Sequence, residues 1–293
     1  MCAALAAGHS VLVRGRPGIG KAALLAEARR RLSADRPCLW VRDTDTRAMA
    51  GELAEQAHQA VGLQVPEHLV PQRHRAAAYR AGRLRWEWVR GALARAPSRE
   101  VVALVVESVR DRGAVVFVES VDLPPARAEL LLALASVAPL AAASDAGRRR
   151  PHLEELFWRF HRVVDLGPLP RAATRALAER WLAERPVAFA SPRVREAFLR
   201  AVEHESGGVP AAIEGMVGAA AHDGQVTLAG VRAYRHEAGA RYFDMAPLLA
   251  VALVAFVALR YIARGANDVE LFVLSGVVTS LLVGLRMLLG RAR

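Results

Sequence analysis

Over its first 168 residues the chain alternates short apolar runs with longer stretches of helical periodicity. The runs at 10–14, 38–42, 114–119, 139–144 and 162–166 are rich in Val, Leu and Ala and too short for buried helices. Separated by helices, such runs predict parallel strands covered on both faces, because a parallel connection needs a crossover. A longer helical insert lies between the second and third runs, with segments at 73–94 and 98–110. On the first segment Leu84, Trp88 and Leu93 are spaced to face a core. Trp86 and Trp88 also stand among arginines, a combination able to stack on bases. The amphipathic reading accounts for the same residues and is preferred.

The pattern then changes twice. From 170 to about 240 only helical periodicity is present, at 171–184, 191–205, 210–222 and 228–238, which predicts a small helical lid. From 245 polar positions nearly vanish. Residues 245–263 and 271–289 are almost wholly apolar, each interrupted only by an arginine near its C-terminal end, Arg260 and Arg286. A spanning helix needs about 20 such residues, and a terminal arginine can extend its head to the lipid headgroups. Tyr242, Phe243 and Tyr261 stand where interfacial aromatics belong, and 264–268 reads as a turn. The expectation is a transmembrane helical hairpin, with a buried or dimerising hairpin as the alternative. Ser275, Thr279 and Ser280 are its few polar positions and with Gly276 and Gly284 suit a helix–helix contact better than a pore. Arg232, Arg235 and Arg241 precede the first span, and Arg286, Arg291 and Arg293 close the second. That bias places both ends in the cytoplasm, for a two-span protein of the cell membrane.

Composition alters this picture in few places. Hydrophobic residues make up 53% of the chain, enough for a core built from Ala, Leu and Val. The formal net charge of +11 admits nucleic acid or an anionic membrane as partner. Arginine is spread along the chain rather than gathered in a block, so nucleic acid ranks last. Two cysteines make no disulfide or metal framework, which suits a reducing compartment. No basic segment followed by an apolar one opens the chain, so no secretory signal is expected.

The informative detail is lysine. Lysine and arginine together number 40, and Lys21 alone is lysine. It completes Gly15-Arg16-Pro17-Gly18-Ile19-Gly20-Lys21, a G-x-x-x-x-G-K string between the first apolar run and the helical stretch that starts at Ala22 and Ala23. Strand, glycine loop and helix together let backbone N–H groups and the helix dipole hold phosphates while lysine reaches the terminal ones. Arginine's planar fork does not replace that compact ammonium. Gly15, Pro17, Gly18, Ile19, Gly20, Lys21, Ala22 and Ala23 are therefore the nucleotide-binding candidates.

Hydrolysis needs more than a cradle. Ala22 stands where a hydroxyl normally meets Mg²⁺. The third run ends in Glu119-Ser120-Val121-Asp122: Glu119 occupies the metal-supporting position, Ser120 a place often held by a catalytic acid, and Asp122 is a substitute carboxylate. Ser144, at the end of the fourth run, is placed to sense a terminal phosphate. Arg148, in Arg148-Arg149-Arg150, is a candidate transition-state arginine, acting in cis or from a neighbouring subunit; a solvated basic loop is the alternative.

Residues 11–21 resemble the Walker A region of AAA+ and STAND P-loop ATPases. Glu119-Ser120-Val121-Asp122 is similar to a degenerate Walker B of the KAP type, a group often associated with membranes. Val164-Asp165-Leu166-Gly167-Pro168-Leu169 resembles the start of a STAND lid, and Glu205-Ser206-Gly207-Gly208-Val209-Pro210 the G-x-P turn that opens a lid helix. The resemblance, which spans about residues 8–222, implies an α/β parallel-sheet P-loop NTPase core (1–168) and a helical lid (169–240) closing near Pro210; the apolar stretches add two transmembrane helices (245–289). It implies ATP and Mg²⁺ as cofactors, Glu119 as metal support, and a homo-oligomer or a membrane or cytoplasmic protein as partner. The function expected is a membrane-anchored, ATP-dependent switch with slow hydrolysis, alternatively a non-catalytic nucleotide-binding scaffold that recruits a partner to the membrane.

Overall fold

The computed structural model describes residues 1–42, 45–75, 84–145, 151–231, 234, 246–266, 270 and 273–280. Five parallel strands appear at Val11–Gly15 (β1), Cys38–Val41 (β2), Val115–Val118 (β3), Leu140–Asp145 (β4) and Arg162–Asp165 (β5). They hydrogen-bond in the order β2-β3-β4-β1-β5. Each lies within one residue of the run that predicted it.

Side chains alternate along these strands as the pleat requires. Leu12, Leu39, Val41, Val116, Val118, Leu140 and Ala142 point to one face. There they meet helices Thr46–Val61 (α3), Trp86–Leu93 (α4), Ser98–Val109 (α5) and Pro125–Ala135 (α6). Val11, Val13, Trp40, Val115, Phe117, Ala141 and Ala143 point to the other, against Cys2–Ala6 (α1) and Lys21–Leu32 (α2). Both faces are covered, which is why the strands read as continuous apolar runs. Strand β2 is an edge, and Gln56 of α3 covers it: its side chain accepts from Trp40 N at 2.6 Å and donates to Trp40 O at 3.0 Å. A side chain here takes the place of a pairing strand. In the insert, Leu93 is buried while Leu84, Trp86 and Trp88 pack partly buried against the core, so the amphipathic reading holds for the described part; 76–83 lie outside the described residues.

The region after β5 contains Arg171–Glu184 (α8), Pro192–Glu205 (α9), Pro210–His222 (α10) and the short Leu228–Val231 (α11); Glu154–Trp158 (α7) precedes β5. Its pattern predicts helices alone, but the region also contains a short strand pair. Ala188–Phe189 (β6) and Gln225–Val226 (β7) pair in parallel. Two-residue strands are too short to show a period of two, and their pairing is set by neighbouring turns: Ala188 N donates to Gly224 O and Ala190 N to Val226 O. Phe198, Leu199, Val202, Ile213, Met216 and Val217 form the core of this part. Arg175 of α8 ties it together, reaching Glu179 on its own helix and Glu196 and Glu203 on α9.

Residues Met1–Ala240 form one compact unit and Arg241–Arg293 a second. In the second, Ala246–Gly265 (α12) is a 20-residue helix over the first expected span, and 273–280 are helical. Among the described residues no helix is long and apolar enough to cross a membrane. The expected transmembrane hairpin is therefore not supported. Helix α12 runs on through Arg260 and Arg264, so its apolar stretch is shorter than the helix. Residues 281–289 of the second expected span lie outside the described residues.

Candidate functional site

Strand β1 lies between β4 and β5, and its successor β2 lies at the far edge. Such a reversal opens a crevice at the carboxyl ends of the strands, where ligands of open α/β sheets bind. The loop 16–20 occupies that crevice. Gly18 and Gly20 have φ of 75° and 99°, left-handed conformations that side chains resist. Gly20 is also the N-cap of α2, and no side chain caps that helix. Its first amides thus have no partner within the helix, as a phosphate cradle requires. Ala22 and Ala23 are exposed, Pro17 and Gly18 likewise, while Ile19 is buried against Val209 and Ala212.

Lys21 is fully engaged. Its Nζ donates to Gly15 O at 2.8 Å and Arg16 O at 3.0 Å and pairs with Asp145 Oδ1 at 2.6 Å. An ammonium has three N–H donors, and three acceptors meet them. The register explains the third: Gly15 of β1 lies opposite Asp145 of β4. Asp145 was missed in the sequence, where the fourth run was ended at Ser144. The signal was present, a carboxylate directly after that run. Ser144 itself is buried, and its hydroxyl turns to Asp145 O at 3.2 Å.

The loop is bonded to the lid as well as to the sheet. Ala211 N, in the first turn of α10, donates to Gly18 O at 3.1 Å, and Arg16 Nη2 donates to Gly207 O at 3.2 Å. Arg16 Nε is buried and has no hydrogen-bond partner among the described residues. Pro210 faces Gly20: a Cβ there would meet Pro210 Cγ at 3.9 Å. Gly208 is the joint. Its φ is 72°, and a Cβ would fall 2.9 Å from Leu169 N and 3.1 Å from Pro168 Cβ.

The carboxylates expected to serve hydrolysis are placed elsewhere. Glu119 Oε1 accepts a hydrogen bond from Trp40 Nε1 at 2.9 Å. Ser120 Oγ accepts from Asp122 N at 3.1 Å, and Asp122 Oδ1 is buried without a hydrogen-bond partner among the described residues. Arg148 lies outside the described residues. Among the described residues no three His, Cys, Asp or Glu side chains gather as a metal site. With Ala22 lacking a hydroxyl, Glu119 held by an indole and Asp145 held by Lys21, the residues present fit a phosphate group but not a protein-held Mg²⁺.

No family model and no curated protein matches the chain. Several solved structures are similar. The RuvB Holliday junction branch migration motor of Thermotoga maritima shares 15% identity at a TM-score of 0.45, covering 90% of this chain and 77% of that one. The ORC1 protein of Aeropyrum pernix, in complex with DNA, shares 16% at 0.47 over 93% and 72%. The AAA domain of FIGL-1, in complex with ADP, shares 15% at 0.46 over 84% and 76%. At these scores the P-loop fold is defined by the strand order and the glycine loop, not by the neighbours.

Proposed function

We propose that the chain is a nucleotide-binding P-loop protein of the AAA+ and STAND kind, in which the state of Lys21 is relayed to the lid. The observation that carries this reading is the placement of Lys21: the chain's one lysine heads an uncapped helix and is held by groups that a phosphate can replace. Lys21 exchanges Asp145 for a phosphate oxygen, and the α2 amides donate to the same anion. When loaded, the site supplies a bound phosphate chain to the loop. The loop carbonyl of Gly18 and the side chain of Arg16 are shared with the lid, so rearrangement of the loop repositions Gly207–Ala211. ATP, as the nucleotide, follows from the Walker A resemblance.

Turnover is the weaker half of this reading. Trp40 holds Glu119, and no step is assigned to Mg²⁺. A protein that binds and senses nucleotide with little or no hydrolysis fits the arrangement better than a fast ATPase. The test is calorimetric titration of the full chain with ATP and ADP, beside a turnover assay. Binding that Lys21→Ala abolishes, with turnover absent or slow, is expected. Equal affinity in Lys21→Ala and the parent would overturn the reading.

A second element of the proposal is attachment to a membrane or an apolar partner through residues 246–280, with the P-loop unit in the cytoplasm. Val251, Val254, Ile262, Val273, Leu274 and Val277 are more than half exposed, an apolar display unusual for a soluble surface. Flotation with liposomes checks it: loss of flotation on deleting 241–293 is expected, and unchanged flotation would count against it. The boundaries 1–168 and 169–240, and assembly as a homo-oligomer, belong to the same proposal.

A further inference from the structure

Away from the glycine loop, an open cleft of about 500 Å³ lies between α2 and the edge strand β2. Its walls include Arg29, Arg30 and Ser33 from α2, Trp40 and Arg42 from β2 and the strand leaving it, and Glu119 beyond β3. That volume falls within the range of small-molecule sites.

The charges in and around the cleft do not cancel. Glu27 is divided between Arg30 and Arg31, at 2.8 and 2.7 Å, and is pulled down to about 2 by those two hydrogen bonds. That trio keeps one positive charge, which offsets Glu119. Arg29 and Arg42 are left over: no carboxylate among the described residues pairs with either. Arg29 lies over the Trp40 ring, 5.5 Å from its centroid, so its guanidinium is held at the cleft wall rather than free in water. Arg42 is exposed at the other end. Two uncompensated guanidiniums facing one cleft match a dianion, and the planar fork of arginine suits phosphate oxygens in particular.

We propose that this cleft is a second anion site, which takes the phosphate group of a small phosphorylated molecule or of a lipid headgroup, held by Arg29 and Arg42; the Ser33 hydroxyl at its wall is already donated to Arg30 O at 3.1 Å. The same cleft contains the bond between Trp40 and Glu119. An anion that draws Arg29 from the Trp40 face loosens the indole that holds Glu119. Occupancy of the cleft thereby reaches Glu119 at the end of β3, which β4 separates from the P-loop strand β1. That relay rests on the nucleotide reading above; binding in the cleft does not.

Pyrophosphate binding to full-length protein, measured by calorimetry in a Lys21→Ala background that removes the lysine of the phosphate loop, tests the site directly. Retained binding that weakens at least tenfold in Arg29→Gln and in Arg42→Gln is expected. A parallel arm uses phosphatidylcholine vesicles with and without phosphatidic acid, scored by flotation of the same variants. Arginine-dependent binding in the first arm identifies a soluble ligand, and in the second arm alone a headgroup; either supports the site. Binding in neither arm, or binding that ignores both substitutions in folded protein, as judged by circular dichroism, overturns it. Failure of Lys21→Ala to change ATP affinity would strike the nucleotide reading and leave this result standing.

Discussion

Two strand ends of one sheet make an instructive contrast. At the end of β1 the chain turns through Gly18 and Gly20 into an uncapped helix, and Lys21 meets three acceptors that a phosphate can displace. At the end of β3 Glu119 points along the same face but ends on Trp40 Nε1. The first end retains the parts for binding an anion. The second has its carboxylate tied to an indole, and the residue after Lys21 is Ala22, which has no hydroxyl to offer a metal. Binding and hydrolysis are separable demands on a P-loop fold: the first rests on backbone geometry, which is present here, and the second on side chains, which here are an alanine and a carboxylate held by an indole.

The sharpest way to break this contrast is at its strong end. Lys21→Ala is expected to weaken ATP or ADP binding by at least a hundredfold, since it removes the charge-assisted contact of a compact ammonium at the head of α2. Calorimetric titration measures it. The next largest effect is expected from Gly208→Ala. Its left-handed φ and the closeness of Leu169 and Pro168 leave no room for a methyl group. A loss of about 2–4 kcal/mol in urea unfolding is expected, as for a buried joint held at a left-handed φ.

Asp145→Asn sharpens the comparison from the other side. It keeps a polar group beside Lys21 and removes the competing charge, so ADP affinity is expected to rise about three- to tenfold. An affinity that falls would mean that Asp145 assists binding rather than guarding the site. Trp40→Phe addresses the weak end, because it frees Glu119 while keeping a ring against Phe117. Any Mg²⁺-dependent turnover is expected to rise by a factor of about 2–10, measured by phosphate release. No change would show that Ala22, not the held carboxylate, limits the chemistry.

The smallest effects concern pH. Hydrogen bonding by Arg175 holds the Glu196 carboxyl below its usual value, and Arg14 does the same to Asp165. Their folded values are depressed, so the stability they add is present above the unfolded carboxylate value of about 4 and lost as pH falls through the folded values. Tyr234 is shifted the other way: burial and the hydrogen bond to Asp223 push its phenol up to about 12. That contribution is complete below about pH 10 and disappears as pH rises toward 12. Melting temperature against pH is expected to be flat between these limits. Arg175→Gln should flatten part of the acid arm, and Tyr234→Phe the alkaline arm.

The sheet and the glycine loop were legible along the chain because both are written in local terms. Strands β1 to β5 announce themselves by short apolar runs between helices. A loop of positive-φ glycines before an uncapped helix has a short, fixed spacing. The lid helices at 171–184 and 210–222 followed from periodicity alone. The pair β6 and β7 did not, because two residues cannot display a pattern. The C-terminal apolar stretch predicted helix correctly at 246–265, yet the inference from apolar helix to membrane span needs an unbroken length that Arg260 and Arg264 interrupt.

By itself, then, the sequence determined the parallel α/β core, the glycine loop after β1 and the place of Lys21 at the start of the helix that follows, since backbone preference and side-chain pleat act over a few neighbouring residues. Only the tertiary structure decided what those groups touch. Strand register across β1 and β4 set Asp145 against Lys21, positions 124 residues apart. Strand order set Trp40 beside Glu119, 79 residues away, and folding of the lid onto the sheet joined Arg16 to Gly207. Contacts of that kind depend on how distant segments pack, and no periodicity along the chain encodes them.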